Sequence, residues 1–322
     1  MKAFVCERYG IDALDLREVD KPVLEDDWVL VRVHASSVNP VEWYGVTGPY
    51  FVRVLGRALR RPKDTAVGAD LAGRVESVGK DVTEFRPGDE VFGTSGASWA
   101  EYAAAGEARL VRKPDNVSWE EAAAVPIAAT TALQALRDKG RVQAGQKVLI
   151  NGASGGVGTY AVQLAKSFGA DVTAVCSARN VEQARSLGAD RVVDYTKEDF
   201  TRLGERHDLM LDIAGSRRFG EFRRVLTPEA TVVIVGAKFP SNKGLGPLSH
   251  IIGTRLASVG RSQTVVFVMA KIDKDDLLIL QELLESGKVR SVIDRSYELR
   301  EAADALRYPG EGHARGKVVL TA

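Results

Sequence analysis

The sequence predicts an α/β protein in which a β-rich first part precedes a doubly wound parallel sheet. Three observations support this fold class. Residues 2–6, 28–35 and 67–78 are strand-like and are separated by glycine and proline. From Lys147 onward, short apolar runs alternate with helical patterns, which is typical of a parallel sheet with helices on both faces. A glycine-rich turn joins the first of these runs to its helix.

The first part ends at a helix start. Ser118-Trp119-Glu120-Glu121 has the serine and glutamate of a capping box. Pro126 should interrupt this helix, and a second helical run continues towards Asp138. The alternating part predicts strands at 147–150, 172–176, 191–194, 208–213, 231–235 and 257–259, helices over 274–286 and 299–308, and a last strand at 317–321.

The glycine-rich turn has the context of a dinucleotide fingerprint, since it follows a strand and opens a helix. Glycine at 155 would let backbone amides approach a pyrophosphate, and glycine at 158 would let the helix pack closely on the strand. The helix N-terminus would face the anion. A turn without a ligand is the alternative. We predict that the cofactor-binding residues here are Ser154, Gly155, Gly156, Val157 and Gly158.

The end of the next strand predicts which dinucleotide binds. About twenty residues after the turn, NAD-binding sites place an acidic residue on the ribose 2′-hydroxyl. This chain has Ser177-Ala178-Arg179-Asn180 there. The Ser177 hydroxyl and the Arg179 guanidinium can hold a 2′-phosphate, which a carboxylate would repel. Arg179 as a solvated helix-start residue is the alternative. We predict NADPH as the cofactor.

Composition excludes several classes of function. The 322 residues suggest two domains, and 44 basic against 43 acidic side chains give a net charge of +1, with no electrostatic footprint for nucleic acid or an anionic membrane. No apolar run approaches the roughly 20 residues that cross a bilayer. The N-terminus enters a strand pattern without a targeting signature. Cys6 and Cys176 lie in apolar runs as reduced core residues, so we expect a cytoplasmic protein.

Several segments together resemble the medium-chain dehydrogenase/reductase superfamily, specifically its zinc-independent quinone-oxidoreductase branch. The matching segments are Ser37-Val38-Asn39-Pro40, Pro87-Gly88-Asp89-Glu90-Val91, Thr131-Ala132-Leu133-Gln134-Ala135-Leu136, the glycine turn, Leu187-Gly188-Ala189-Asp190 and Gly316-Lys317-Val318-Val319-Leu320. The resemblance implies a GroES-like catalytic domain from residues 1–122 and 264–322, and a Rossmann domain from residues 123–263. It also implies that substrate and nicotinamide lie in the cleft between the domains, and that the protein is a homodimer.

Departures from the zinc-dependent branch indicate that no metal is bound. Those enzymes have cysteine where this chain has Asn39, and Gly-His-Glu where it has Gly68-Ala69-Asp70. Asparagine and alanine offer neither the thiolate nor the imidazole that zinc prefers. The four histidines, at 34, 207, 250 and 313, show no ligand spacing. We therefore expect no metal site.

Without a Lewis acid to polarise an alcohol or carbonyl oxygen, hydride delivery to an already electrophilic carbon is favoured. Such a reaction requires the protein to orient the cofactor and to give modest oxyanion stabilisation. We predict NADPH-dependent reduction of a small-molecule substrate, a quinone or an α,β-unsaturated carbonyl compound. The alternatives are a metal-free alcohol or aldehyde oxidoreductase, and an NADPH-binding protein with a structural or regulatory role.

Roles for individual residues follow partly from the resemblance and partly from the residues themselves. Asn39 would lie beside the nicotinamide and donate to the substrate oxygen, although it could equally only shape the Asn39-Pro40 turn. Tyr44 or Tyr50 could donate the proton that follows hydride transfer, as could solvent. The basic segment 51–63 is either a lid or a solvated loop or short helix. The remaining cofactor contacts are Thr131, Tyr195, Val235, Gly236, Phe267, His313 and Arg315; Arg315 and the neighbouring Lys317 could instead be surface charges.

Overall fold

The computed structural model describes residues 1–237, 247–310, 312 and 314–322. These residues form two compact units, one from residues 1–130 and 272–322 and the other from residues 131–237 and 247–271. The expected domain boundaries were 122/123 and 263/264. Residues 123–130 therefore belong to the first unit and residues 264–271 to the second, in contrast to that expectation.

The strands and helices are numbered in chain order. The strands are β1 Lys2–Cys6, β2 Leu14–Glu18, β3 Trp28–Val38, β4 Asp70–Val78, β5 Glu90–Thr94, β6 Tyr102–Gly106, β7 Leu110–Arg112, β8 Lys147–Asn151, β9 Asp171–Cys176, β10 Arg191–Asp194, β11 His207–Asp212, β12 Leu226–Ile234, β13 Thr264–Phe267, β14 Ile293–Glu298 and β15 Lys317–Thr321. The helices are α1 Pro40–Thr47, α2 Tyr50–Leu55, α3 Trp119–Ala123, α4 Pro126–Gln134, α5 Gly156–Ser167, α6 Val181–Ser186, α7 Phe219–Phe222, α8 Pro247–Ala257, α9 Lys274–Glu285 and α10 Ala302–Gly310.

The described residues of the second unit form a six-stranded parallel sheet in the order β10-β9-β8-β11-β12-β13. The order reverses between β8 and β11, and such a point is where open α/β sheets bind ligands at the carboxyl ends of their strands. Strands β8 and β9 are buried along nearly their whole length, which explains their continuous apolar runs. The predicted doubly wound sheet is confirmed.

One predicted strand of this sheet is wrong. Ala257 is the last residue of helix α8, and the following apolar residue Val259 is 74% exposed. The sixth strand is instead β13, which pairs in parallel with β12. A run as short as 257–259 cannot be assigned to strand or helix by periodicity alone. The three β-branched residues of Thr264-Val265-Val266-Phe267 are the stronger strand signal.

The described residues of the first unit form a seven-stranded sheet in the order β14-β15-β3-β4-β5-β7, with β6 paired to β3. The predicted β-rich part of the fold is confirmed, and this unit contains residues from both ends of the chain. Strand β15 runs antiparallel to β3 and places Val318 opposite Val38. Strand β4 begins at Asp70, later than predicted, because Gly68 has a φ of 101° that no extended strand contains.

The predicted capping box is present at the start of α3. The Ser118 hydroxyl accepts from the Glu121 amide at 3.1 Å, and the Glu121 carboxylate accepts from the Ser118 amide at 2.9 Å. Helix α4 begins at Pro126, as the break predicted there requires. Segment 51–63 contains all of the short helix α2 except Tyr50, together with the residues that follow the helix. No helix in the described ranges has the length and apolarity to span a membrane.

Candidate active site

The glycine turn links β8 to α5 in the second unit. Gly152 has a φ of 95°, and a Cβ on Gly158 would lie 2.1 Å from the Gly152 carbonyl oxygen, so α5 can start this close to the strand only with glycine at 158. Gly155 is different, because the nearest atom to an added Cβ is 3.8 Å away. The backbone from 154 to 157 is partly exposed at the N-terminus of a 12-residue helix. This geometry fits a bound phosphate.

A buried asparagine joins this turn to the end of β9. The Asn180 side-chain amide donates to the Ser154 hydroxyl at 2.9 Å and to the Ser177 hydroxyl at 3.2 Å. Both serines are partly exposed, and Arg179 and Tyr195 are exposed. The structure therefore brings together the two serines that the sequence predicted for different phosphates. The role of Asn180 was missed, although it follows Arg179 directly.

A second polar cluster lies at the carboxyl ends of β8 and β11. Buried Asp212 accepts from the Asn151 side-chain amide at 2.7 Å, and its other carboxylate oxygen lies 2.7 Å from His250 Nε2. The amides of Val235 and Gly236 donate to the Asp212 carbonyl oxygen at 2.9 and 3.2 Å. Sequence reasoning found Val235 and Gly236 but treated His250 as isolated, because 38 residues separate it from its partner.

The other predicted cofactor contacts lie in different places. Thr131 is half-buried in α4, and Phe267 at the end of β13 packs against the core of the second unit. Arg315 belongs to the first unit, is exposed, and donates its backbone amide to Asp294 at 2.9 Å. His313 lies outside the described residues. Contacts of these residues with a cofactor stay predictions.

Asn39 lies in a buried network in the first unit. The Lys317 ammonium donates to Asn39 Oδ1 at 2.5 Å, and Asn39 Nδ2 donates to Asp70 Oδ2 at 2.9 Å. The Ser37 hydroxyl and the Ile127 amide complete the bonds to Asp70 at 2.5 and 2.9 Å. Both polar ends of the Asn39 amide are thus used within the protein. Lys317 is 3% exposed, so its interpretation as a surface charge was wrong.

Glu42 is a further titratable group of this network. Its Oε2 accepts from the Asn39 amide at 2.7 Å in a capping box, while Oε1 is buried without a hydrogen-bond partner in the described part of the chain. Burial and the nearby Asp70 carboxylate raise the pKa of Glu42 to about 8, and the Lys317 ammonium opposes this shift. The carboxyl group is therefore mostly protonated at neutral pH.

The two candidate proton donors have different surroundings. Tyr44 is half-buried between Trp43 and Phe51, with ring centroids 5.2 and 5.5 Å apart in edge-to-face contacts. Burial raises the pKa of Tyr44 to about 12, so the phenol stays protonated. Tyr50 is 69% exposed and borders a shallow cavity of about 280 Å³ together with Gly48 and Arg53. Exposure favours Tyr50 as the more accessible phenol.

Comparison with known proteins shows to which family this chain belongs. A family model described as an alcohol dehydrogenase GroES-like domain matches residues 25–115, and one described as a zinc-binding dehydrogenase matches residues 187–320. The chain is 34% identical to the chloroplast envelope quinone oxidoreductase homolog of Arabidopsis thaliana, over 99% of this chain and 98% of that protein. The chain belongs to the quinone-oxidoreductase branch of the medium-chain dehydrogenase/reductase superfamily.

Two further members of this superfamily are similar over most of their length. The NADPH-dependent alkenal/one oxidoreductase of Arabidopsis thaliana chloroplasts is 34% identical, over 99% of this chain and 79% of that protein. The structure of the quinone oxidoreductase from Coxiella burnetii covers 100% of this chain and 99% of its own, with a TM-score of 0.86 and 29% identity. The family resemblance seen in the sequence is confirmed.

Proposed function

We propose that this member of the superfamily is an NADPH-dependent, zinc-independent oxidoreductase that transfers hydride to a quinone or an α,β-unsaturated carbonyl compound. Two of its relatives are named for quinone reduction and one for NADPH-dependent alkenal/one reduction. When bound, NADPH supplies the hydride. The residues of this chain bind and orient the cofactor. They supply no Lewis acid, so the acceptor carbon must already be electrophilic enough to take the hydride.

The observation that carries the proposal is the position of Lys317. The zinc-dependent branch places a thiolate where this chain has Asn39, and the Lys317 ammonium lies 2.5 Å from the Asn39 side-chain oxygen. A metal cation at that oxygen would be repelled by the ammonium, and an amide is a poor zinc ligand. The residues 187–320 that match the zinc-binding dehydrogenase model contain no cysteine. Substrates that already carry an electrophilic carbon therefore suit this site best.

A substrate panel tests the proposal. Purified protein is mixed with NADPH and with quinones, enones, saturated aldehydes or saturated ketones, and the nicotinamide absorbance is followed. We expect consumption with quinones or enones only, unchanged by a chelator, and no stoichiometric zinc by metal analysis. Consumption with saturated aldehydes would favour a metal-free alcohol or aldehyde oxidoreductase. Binding of NADPH without consumption on any acceptor would favour a structural or regulatory role.

The preference for NADPH has its own test at Arg179. We propose that the exposed Arg179 guanidinium and the Ser177 hydroxyl hold the 2′-phosphate. Charge-assisted hydrogen bonds are worth about 1.5–3 kcal/mol, so Arg179→Ala should weaken NADPH binding about ten- to a hundredfold and leave NADH binding nearly unchanged. Arg202→Ala, an exposed arginine of the same unit, serves as the control. Equal losses for both cofactors would show that Arg179 does not recognise the 2′-phosphate.

We further propose that the protein is a cytoplasmic homodimer. The two buried free cysteines support a reducing compartment, and the homodimer follows the family resemblance. Light scattering coupled to gel filtration tests the assembly state, and a mass of a single chain of 34.8 kDa would exclude the dimer.

A further inference from the structure

The side chain of Asn180 makes hydrogen bonds that are unusual for its position in the chain. It is the N-cap of α6, where asparagine normally accepts a bond from a backbone amide of the first turn. Its side chain makes no such bond here. The side-chain nitrogen instead donates to Ser154 and Ser177 at 2.9 and 3.2 Å. The residue is 3% exposed, and its Oδ1 has no hydrogen-bond partner within the described ranges.

Stability does not explain this arrangement. The Val181 amide at the start of α6 donates to the Ala178 carbonyl oxygen, so the helix start does not use the Asn180 side chain, and a buried carbonyl oxygen without a partner loses the hydrogen bonds it made to water. The bonds of Asn180 therefore add no stability to α6, and its unpaired oxygen costs some. Buried polar groups that are left unsatisfied in this way often serve function, and the two acceptors of Asn180 are the hydroxyls expected to contact the cofactor.

The hydrogen bonds from Asn180 determine whether each serine hydroxyl acts as a donor or an acceptor towards other groups. A serine hydroxyl has one hydrogen to donate and lone pairs that accept. Because Asn180 donates one amide hydrogen to each serine oxygen, each serine keeps its own hydrogen for another acceptor. Neither hydroxyl donates to another residue in the part of the chain that the structure describes. Both serines are partly exposed, so that acceptor can come from a ligand.

We propose that Asn180 is a positioning residue that makes Ser154 and Ser177 hydrogen-bond donors towards a phosphorylated dinucleotide. Phosphate oxygens only accept hydrogen bonds, so they match two hydroxyls held as donors. Ser154 belongs to the turn before α5 and faces the pyrophosphate, and Ser177 follows β9 and faces the 2′-phosphate. The single side chain of Asn180 thereby supplies a hydroxyl donor at each of the two phosphate sites. This inference rests on the proposed function, since it requires NADPH as the cofactor.

Titration of NADPH and NADH against wild type and four variants tests the inference. Asn180→Asp keeps the shape of the side chain but can only accept from the serines, and it adds a negative charge. We expect its NADPH affinity to fall at least tenfold and the ratio of NADPH to NADH affinity to fall with it. Asn116→Asp, whose parent amide also donates to two oxygens, should leave both affinities unchanged. Ser177→Ala and the double variant Asn180→Ala, Ser177→Ala complete the set.

If Asn180 acts through Ser177, the double variant should have the same NADPH to NADH affinity ratio as Ser177→Ala alone. A further drop in that ratio would overturn the inference, as would an Asn180→Asp variant that loses both cofactors equally. Thermal unfolding of each variant separates these results from misfolding, and Ser177→Ala keeps the test informative if Asn180 variants do not fold. Wild-type protein that binds NADPH no tighter than NADH would instead refute the proposed cofactor preference.

Discussion

Replacing Glu42 by glutamine should remove a loss of stability that wild type undergoes as the pH rises towards the pKa of Glu42. The glutamine oxygen can accept the bond from the Asn39 amide that Glu42 accepts at 2.7 Å, and its amide group resembles the protonated carboxyl. Glutamine does not ionise. The wild-type carboxyl must either keep its proton or place a negative charge in a buried site beside Asp70. The variant removes this conflict without changing the size of the side chain.

The magnitude follows from the pKa of Glu42. Its ordinary value is 4.5, and burial raises it to about 8 in the folded protein. Below the lower value the group is protonated in both states. Between the two values only the unfolded chain releases the proton, so wild-type stability falls as pH rises, by about 1.4 kcal/mol per pH unit. Between about pH 5.5 and about pH 7.5, the free energy of unfolding of Glu42→Gln should therefore rise by about 3 kcal/mol relative to that of wild type.

Urea unfolding at several pH values measures this difference. All four tryptophans, at positions 28, 43, 99 and 119, lie in the first unit, so their fluorescence reports the unfolding of the unit that contains Glu42. Glu121→Gln is a matched control, because Glu121 makes the same capping-box bond at 2.9 Å but is less buried. A difference between Glu42→Gln and wild type that does not change with pH would refute the reasoning.

Three other substitutions have distinct expected outcomes. Gly158→Ala should unfold the turn and abolish NADPH binding, since its Cβ would lie 2.1 Å from a backbone oxygen; circular dichroism and NADPH titration would show both losses. Gly155→Ala should keep wild-type thermal stability, since its Cβ meets protein atoms only at 3.8 Å, but it should weaken NADPH binding by crowding a phosphate bound at the turn. Lys317→Met should lower the free energy of unfolding in urea by about 3–5 kcal/mol, because it leaves buried Asp70 without its cation. Lys166→Met removes a partly exposed ion pair and should lower the free energy of unfolding by at most about 1 kcal/mol. Equal costs for the two lysines would contradict the buried ion pair.

The sequence predicted most elements because their signals are local. The capping box at Ser118, the break at Pro126 and the alternation of strands and helices after Lys147 each depend on residues close together in the chain. The strand expected at 257–259 failed for the same reason. A short apolar segment carries no periodicity, and only pairing with β12 identifies Thr264–Phe267 as the strand.

In the candidate site too, features built from neighbouring residues were predicted, and contacts between distant residues were not. The glycine turn and the Ser177 to Asn180 segment were visible in the sequence, since a dinucleotide site of this kind is built from consecutive residues of one strand, turn and helix. The hydrogen bond between Asn180 and Ser154 was not visible, because 26 residues separate them. The family resemblance located Asn39, but it did not reveal that Lys317 and Asp70 occupy both ends of its amide.

The sequence by itself determined most of the strands and helices and the chemistry of the phosphate-binding turn, because steric and hydrogen-bond preferences of neighbouring residues set both. Only the tertiary structure decided the charges of the buried network. Lys317 meets Asn39 across 278 residues through the pairing of β15 with β3. Glu42 keeps its proton because the fold removes it from water and places it near Asp70. Burial and distant charges set a pKa, and neither is encoded in a local pattern.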